Sequence, residues 1–132
     1  MEKIVLDTYA VVALLFDEAG AHKVQNTIDE AKDKRLPLLM NVVNLGEVFY
    51  TVQRKHGTNS ALKACNALES LPVNLISPGK ELSLLAASLK SEKKMSYADC
   101  FAAATAMMYK AALLTGDKEF KQVEKETEVI WI

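Results

Sequence analysis

The sequence contains few of the residues that build zinc sites and disulfides. It has two cysteines and two histidines in 132 residues. Cys65 and Cys100 do not form a CxxC pair, and both fall on predicted helices, so we interpret them as buried, reduced thiols. Because zinc sites draw mainly on histidine and cysteine, the composition argues against a zinc centre.

Long apolar runs and phosphate-binding glycine loops are also missing from the sequence. No run approaches the roughly 18 residues of a membrane span, and the amino terminus lacks a signal-peptide pattern, so we expect a cytoplasmic protein. The net charge of −1 and the pI of about 6.1 argue against a protein that binds long duplexes by charge alone. At 132 residues, half of them hydrophobic, residues 1–132 are predicted to form one domain with one core.

Short apolar segments alternate with longer segments of helical periodicity. The predicted strands are Lys3–Leu6, Leu38–Met40, Val73–Ser77, Ala112–Thr115 and Val129–Ile132. The predicted helices cover Tyr9–Phe16, Ala21–Lys34, the segment from about Asn44 to Gly57, Ser60–Ser70, Glu81–Lys93, Ser96–Lys110 and a charged segment from Asp117 to about Glu126. This alternation predicts a three-layer α/β/α fold with a mostly parallel five-stranded sheet.

Two aspartates follow predicted strands directly. Asp7 ends the first strand, and Asp117 comes just after the fourth strand. In an open parallel sheet the ligand-binding crevice lies outside the carboxyl ends of the strands. We therefore expect both carboxylates at that edge.

Two further acids stand near the start of predicted helices. Asn44 and Glu47 have the spacing of a capping box, which predicts that Glu47 lies in the first turn of the helix after the second strand. Ser96 and Asp99 have the same spacing and open the helix that precedes the fourth strand. A helix that returns antiparallel to its strand begins at the carboxyl edge, so these acids should join the other two there.

Carboxylates crowded at one edge repel one another unless protons or cations intervene. An all-carboxylate set favours Mg²⁺ or Mn²⁺, with Asp7 and Asp99 as the first candidates for direct ligands and Glu47 and Asp117 as further ligands or positioning groups. Taken singly, each acid also has a structural explanation as a helix cap or a third-position capping partner. Capping alone does not require that all four share one edge, and the shared edge favours the metal site.

Four motifs carry a resemblance to a known family. They are LDTYAVVALL around Asp7, NLGEVF around Glu47, SYADCFAAATA around Asp99 and LLTGDKEF around Asp117. In order and spacing the chain resembles the PIN domain, in particular the small single-domain ribonucleases that act as toxins in VapBC-type toxin–antitoxin pairs.

The resemblance implies an acidic pocket that holds Mg²⁺ or Mn²⁺ and hydrolyses single-stranded RNA. The four acids match the acidic positions of the family, Thr115 matches a supporting hydroxyl residue, and Thr8 beside Asp7 is a second supporting candidate. Tyr9 stands where serine or asparagine is more usual, and Glu119 stands where many members carry a further acid. The role of Glu119 and the number of ions stay open.

The resemblance also implies an antitoxin partner and a homodimer. The helices Ala10–Phe16 and Ser60–Leu71 carry more apolar residues than one buried face needs, which predicts an apolar interface on them. Tyr50 and Tyr97 are interpreted as packing residues with a solvated hydroxyl.

Three other functions compete with the ribonuclease. An aspartate-nucleophile phosphatase needs a second aspartate at position 9, which is Tyr9, and a receiver domain needs an aspartate after the third strand, where the chain has Ser77 and Pro78. The third is a non-catalytic PIN-like module that binds RNA or protein. Metal-dependent RNA cleavage distinguishes this third alternative from the ribonuclease.

Overall fold

The computed structural model describes residues 3–132, which form five strands, six α-helices and one short 3-10 helix. The strands are β1 (Ile4–Leu6), β2 (Leu38–Asn41), β3 (Val73–Ile76), β4 (Ala112–Thr115) and β5 (Val129–Trp131). The α-helices are α1 (Thr8–Leu15), α2 (Ala21–Asp33), α3 (Val42–His56), α4 (Thr58–Glu69), α5 (Lys80–Glu92) and α6 (Tyr97–Tyr109). The 3-10 helix, Lys118–Val123, lies between β4 and β5.

The five strands form one sheet in the order β3-β2-β1-β4-β5, and every adjacent pair is parallel. The chain builds outward from β1 to β3 and then returns to the other side of β1 with β4. The strand order therefore reverses between β1 and β4, which is where ligands bind in open α/β sheets. The predicted parallel five-stranded α/β/α fold is confirmed.

Side chains of the central strands alternate between two apolar layers. In β1, Val5 packs with residues of α5, α6 and the 3-10 helix, whereas Ile4 and Leu6 pack with residues of α1 to α4. All three residues of β1 are buried, as expected of a strand covered on both faces. The sheet is thus the middle layer of the molecule.

Helix α6 lies against the sheet through small side chains. Every residue from Cys100 to Ala106 is buried, and four of these seven are alanines. Because alanine has a short side chain, the helix backbone packs close to its neighbours on several sides. This packing fixes the start of α6, and hence Asp99, relative to β1 and β4.

The sequence prediction for the start of α3 is wrong. The helix begins at Val42, and its N-cap is Asn41, whose side chain accepts a hydrogen bond from the Val43 amide at 2.8 Å. Asn44 is buried and donates to the Ala98 carbonyl at 3.0 Å instead of capping a helix. Glu47 consequently lies in the second turn of α3, because β2 passes into the helix with no loop between them.

Smaller differences concern the carboxyl-terminal part of the chain and the two thiols. The predicted charged helix to Glu126 is a 3-10 helix that ends at Val123. Both thiols are free; Cys100 is buried, as predicted, and Cys65 is half-buried. Between residues 3 and 132, no helix is long and apolar enough to cross a membrane.

Candidate metal centre

A cavity of about 350 Å³ lies at the carboxyl edge of the sheet, at the point where the strand order reverses. All four acids predicted from the sequence line it, together with a fifth acid that follows the fourth one closely. The lining residues are Asp7, Thr8, Tyr9, Val12, Glu47, Thr51, Ser96, Asp99, Asp117 and Glu119.

Asp7 is the most deeply buried acid of the cavity. Its Oδ1 accepts a hydrogen bond from the Ala10 amide at 2.8 Å, so Asp7 also caps α1. Its Oδ2 accepts from the hydroxyl of Thr115, the last residue of β4. Burial raises the pKa of Asp7 to about 7, and the carboxylates of Asp117 and Glu47 add to the increase, whereas the two hydrogen bonds oppose it.

The Thr115 hydroxyl links two acids. It donates to Asp7 and accepts a hydrogen bond from the Asp117 amide at 3.0 Å. Thr115 is fully buried, and its bond to Asp7 is shielded from water, whereas its bond from the Asp117 amide is partly buried. The supporting hydroxyl predicted from the sequence therefore fixes the spacing between the end of β1 and the turn after β4.

Asp99, Asp117 and Glu119 form the tightest group of acids in the described part of the chain. One carboxylate oxygen from each lies within 4.8 Å of the other two. Asp117 caps the 3-10 helix by accepting from the Glu119 amide at 2.9 Å, which turns both side chains to the same end of that helix. Burial raises the pKa of Asp99 to about 8, and the Asp117 carboxylate is the next cause.

Glu47 reaches the cavity from α3 and is held by two hydroxyl groups. The Thr8 hydroxyl donates to its Oε1, and the Tyr50 hydroxyl lies 3.4 Å from its Oε2. Partial burial and the Glu47 carboxylate raise the pKa of Tyr50, so its phenol remains a donor. The bond from Asn44 to Ala98 ties this part of α3 to the start of α6.

Sequence reasoning missed the polar residues that join α3 to α6. The side-chain amide of Asn41 donates to the Thr105 hydroxyl at 3.0 Å. The side-chain amide of Asn44 donates to the Ala98 carbonyl near the start of α6. The local sequence offers two asparagines near the end of β2. The spacing favoured Asn44 as the N-cap of α3, whereas the N-cap is Asn41. Tyr50 and Tyr97, predicted to pack with a solvated hydroxyl, are 44% and 47% exposed, and the Tyr97 ring packs against Phe101.

The donor set fits a hard divalent cation. Among the described residues, 3–132, no histidine or cysteine lines the cavity. Five of the lining side chains are carboxylates. Carboxylate oxygens are the ligands that Mg²⁺ and Mn²⁺ prefer. Burial is the main cause of the raised pKa values of Asp7 and Asp99, and the neighbouring carboxylates add to it.

The sequence profile of the PIN domain matches residues 4–126, which is most of the chain. The chain belongs to the PIN domain family. The resemblance read from the four motifs is confirmed, and the acidic cavity of this PIN domain lies at the edge where the motifs meet. No curated protein is significantly similar to the chain in sequence.

Solved structures of toxin–antitoxin systems share the fold of this PIN domain. VapBC2 from Rickettsia felis, bound to a promoter DNA fragment, superposes with a TM-score of 0.80 at 16% identity over 97% of both chains. DNA-bound VapBC from Salmonella typhimurium gives 0.79 at 12% identity over 98% of both chains. VapC20 from Mycobacterium tuberculosis, a sarcin–ricin loop cleaving toxin, gives 0.73 at 18% identity over 91% of this chain and 94% of its own.

The crowding of the acids predicts a specific dependence of stability on pH in metal-free protein. Asp7 and Asp99 have pKa values of about 7 and 8 when folded, against an ordinary value of 3.8, so the folded state holds protons that the unfolded state has lost between pH 4 and 8. The stability that these protons maintain is complete below pH 4 and is lost as the pH rises to 8. Asp99→Asn removes one of the charges, and we expect it to stabilise the protein at pH 8.5 by at least about 1 kcal/mol.

Thermal melts of wild type and Asp99→Asn in EDTA, from pH 4 to pH 9, measure this difference. The difference in stability between Asp99→Asn and wild type should shrink towards zero at pH 4, where Asp99 is neutral in wild type. Asp33→Asn, at an exposed position of α2, is the matched control and should change little at any pH. A wild type that is more stable than Asp99→Asn at pH 8.5 would contradict the crowding.

Proposed function

We propose that residues 1–132 form a metal-dependent endoribonuclease domain that cleaves single-stranded RNA as the toxin of a toxin–antitoxin pair. The observation that carries the proposal is the convergence of five carboxylates on one cavity at the switch point of a PIN-domain sheet. A VapC toxin with the same fold cleaves the sarcin–ricin loop. We propose that this activity is cytoplasmic, as is usual for a nuclease that acts on cellular RNA.

The five acids divide by position into a close group of three and a pair at the end of β1 and on α3. Asp99, Asp117 and Glu119 would hold a Mg²⁺ or Mn²⁺ ion, because their oxygens already lie within 4.8 Å of one another. Asp7 and Glu47, which complete the catalytic set, face the same cavity from β1 and α3. When bound, the cation supplies Lewis-acid stabilisation of a phosphodiester and lowers the pKa of water.

Neighbouring residues orient the carboxylates for this task. The backbone amide of Ala10 donates a hydrogen bond to one oxygen of Asp7, and the backbone amide of Glu119 donates to one oxygen of Asp117. Thr115 and Thr8, the supporting hydroxyls, fix Asp7 and Glu47. Because these bonds are already made in the folded protein, little reorganisation is needed when a cation and a phosphate arrive.

Asp99→Asn tests the activity directly. The substitution should abolish Mg²⁺-dependent or Mn²⁺-dependent cleavage of a single-stranded RNA, by at least about 100-fold, because an amide is a poor ligand for a hard cation. Ser96 still caps α6 through the Asp99 amide, at 3.1 Å, so the fold should survive. Gel analysis of RNA incubated with wild type, Asp99→Asn and the exposed control Asp33→Asn measures the effect.

Two results separate the ribonuclease from its alternative. Cleavage that disappears in EDTA and in Asp99→Asn but persists in Asp33→Asn supports the proposal. Wild-type protein that binds RNA without cleaving it in either metal would instead identify a non-catalytic PIN-like binding module.

An apolar groove between α1 and α4 supports an interface. A cavity of about 280 Å³ there is lined by Leu15, Phe16, Ser60, Lys63, Ala64 and Ala67. Phe16 and Leu62, on the two helices that the sequence singled out, are exposed. We propose that this face mediates a homodimer and also receives a segment of an antitoxin, as structural neighbours of the VapBC type are toxin–antitoxin systems.

Leu62→Lys should weaken the dimer by placing a charge in an apolar contact. Light scattering at micromolar concentration should report a dimer for wild type and a monomer for Leu62→Lys. Leu84→Lys, at an exposed leucine on α5, is the control and should remain dimeric. A monodisperse wild-type monomer that still cleaves RNA would refute the homodimer.

A further inference from the structure

Two exposed tyrosines lie at the acidic cavity, and a third stands next to cavity-lining residues in the sequence. The exposed fractions of Tyr9, Tyr50 and Tyr97 are 44%, 44% and 47%. Tyr9 lines the cavity, Tyr50 approaches Glu47, and Tyr97 lies between the cavity-lining residues Ser96 and Asp99 in sequence. The fourth tyrosine of the chain, Tyr109, is half-buried and lies at the opposite end of α6. Each exposed tyrosine is thus a cavity-lining residue, a hydrogen-bond partner of one, or a neighbour of one in the sequence.

The Tyr9 ring is held in place by the turn that carries Asp117. It packs so closely on Gly116 that a Cβ at position 116 would lie 2.3 Å from its Cε1. Such an approach requires glycine at that position, because any Cβ would displace the ring. One side of the ring is therefore fixed on the backbone beside the carboxylates, while much of the side chain remains open to solvent.

The other two rings are also supported by neighbours. The guanidinium of Arg54 lies 4.9 Å from the centroid of the Tyr50 ring, one helical turn further along α3. The Tyr97 ring packs edge-on against Phe101, with 4.9 Å between the centroids and 63° between the planes. Rings supported in this way lose little conformational freedom when a flat partner stacks on them.

The charge of the cavity makes such partners necessary. Five carboxylates repel RNA phosphates, and the whole chain has a net charge of −1, so phosphate contacts alone give little affinity. Aromatic rings beside a phosphate-binding site can supply the missing affinity, because any nucleobase that stacks on a ring contributes favourably to binding. Bases inside a duplex are already stacked and do not offer their faces.

We propose that Tyr9, Tyr50 and Tyr97 form a tyrosine rim that stacks the bases of single-stranded RNA on either side of the phosphate that a cation bound by the carboxylates would hold. This inference deepens the proposed ribonuclease function and rests on it for the position of the phosphate. The rim selects single-stranded over duplex RNA, and Arg54 extends it along α3.

Binding of a fluorescein-labelled octauridylate, measured by anisotropy, tests the rim. Ca²⁺ replaces Mg²⁺ in the binding buffer, and a denaturing gel verifies that the RNA stays intact. Tyr9→Ser and Tyr97→Ser should each raise Kd about tenfold, whereas Tyr9→Phe and Tyr97→Phe, which keep the ring, should bind as wild type does. Tyr109→Ser, with thermal melts to verify its fold, is the control and should leave Kd unchanged.

An abasic oligomer of the same length separates stacking from charge. Wild type should bind it at least about tenfold more weakly than octauridylate, and the serine variants should show no further loss on it. The slope of log Kd against log salt concentration should be the same for wild type and the serine variants, since no phosphate contact is removed.

The outcomes distinguish the rim from the ribonuclease. Wild-type cleavage of RNA together with Kd values that do not respond to ring removal would overturn the rim and leave the proposed function standing. Ring-dependent binding without metal-dependent cleavage would support the rim and overturn the ribonuclease. Equal affinity of wild type for octauridylate and the abasic oligomer would also overturn the rim.

Discussion

Repulsion among carboxylates is the constraint on which the rest of this structure depends. Asp7, Asp99, Asp117, Glu47 and Glu119 share one cavity, and the burial of Asp7 and Asp99 removes the water that would screen their charges. The fold tolerates this arrangement because Asp7 and Asp99 have pKa values high enough to keep protons near neutral pH. A cation bound among these carboxylates would offset their mutual repulsion in place of the protons.

The surrounding architecture maintains this unfavourable arrangement. Strand order reverses between β1 and β4, which places Asp7 and Asp117 on adjacent strand ends, and the Thr115 hydroxyl joins them. Asparagine bonds attach α3 to α6, so that Glu47 and Asp99 cannot move apart independently. Each of these contacts is a buried or partly buried hydrogen bond, and breaking a buried one would leave an unsatisfied polar group. These hydrogen bonds thus keep the acids together against their mutual repulsion.

Local sequence signals predicted the parts of the site that local chemistry determines. Asp7 after an apolar strand and Ser96 before Asp99 were placed correctly, because a strand end and a serine N-cap have short-range signatures. The start of α3 was misplaced because Asn41 and Asn44 are both plausible caps, and a contact with α6 decides between them. Tertiary contacts of this kind cannot be predicted from the spacing of neighbouring residues in the sequence. The exposure of Tyr50 and Tyr97 has the same origin, since it depends on which helix faces remain uncovered.

A crystal structure of the protein grown with Mn²⁺, with the ion located by its anomalous scattering, tests the central claim most directly. We predict an anomalous peak inside the cavity, with carboxylate oxygens of Asp99 and Asp117 at roughly 2.1 Å and Glu119 close by. An ordered cavity with no manganese, in crystals that hold the ion elsewhere on the molecule, would contradict the account.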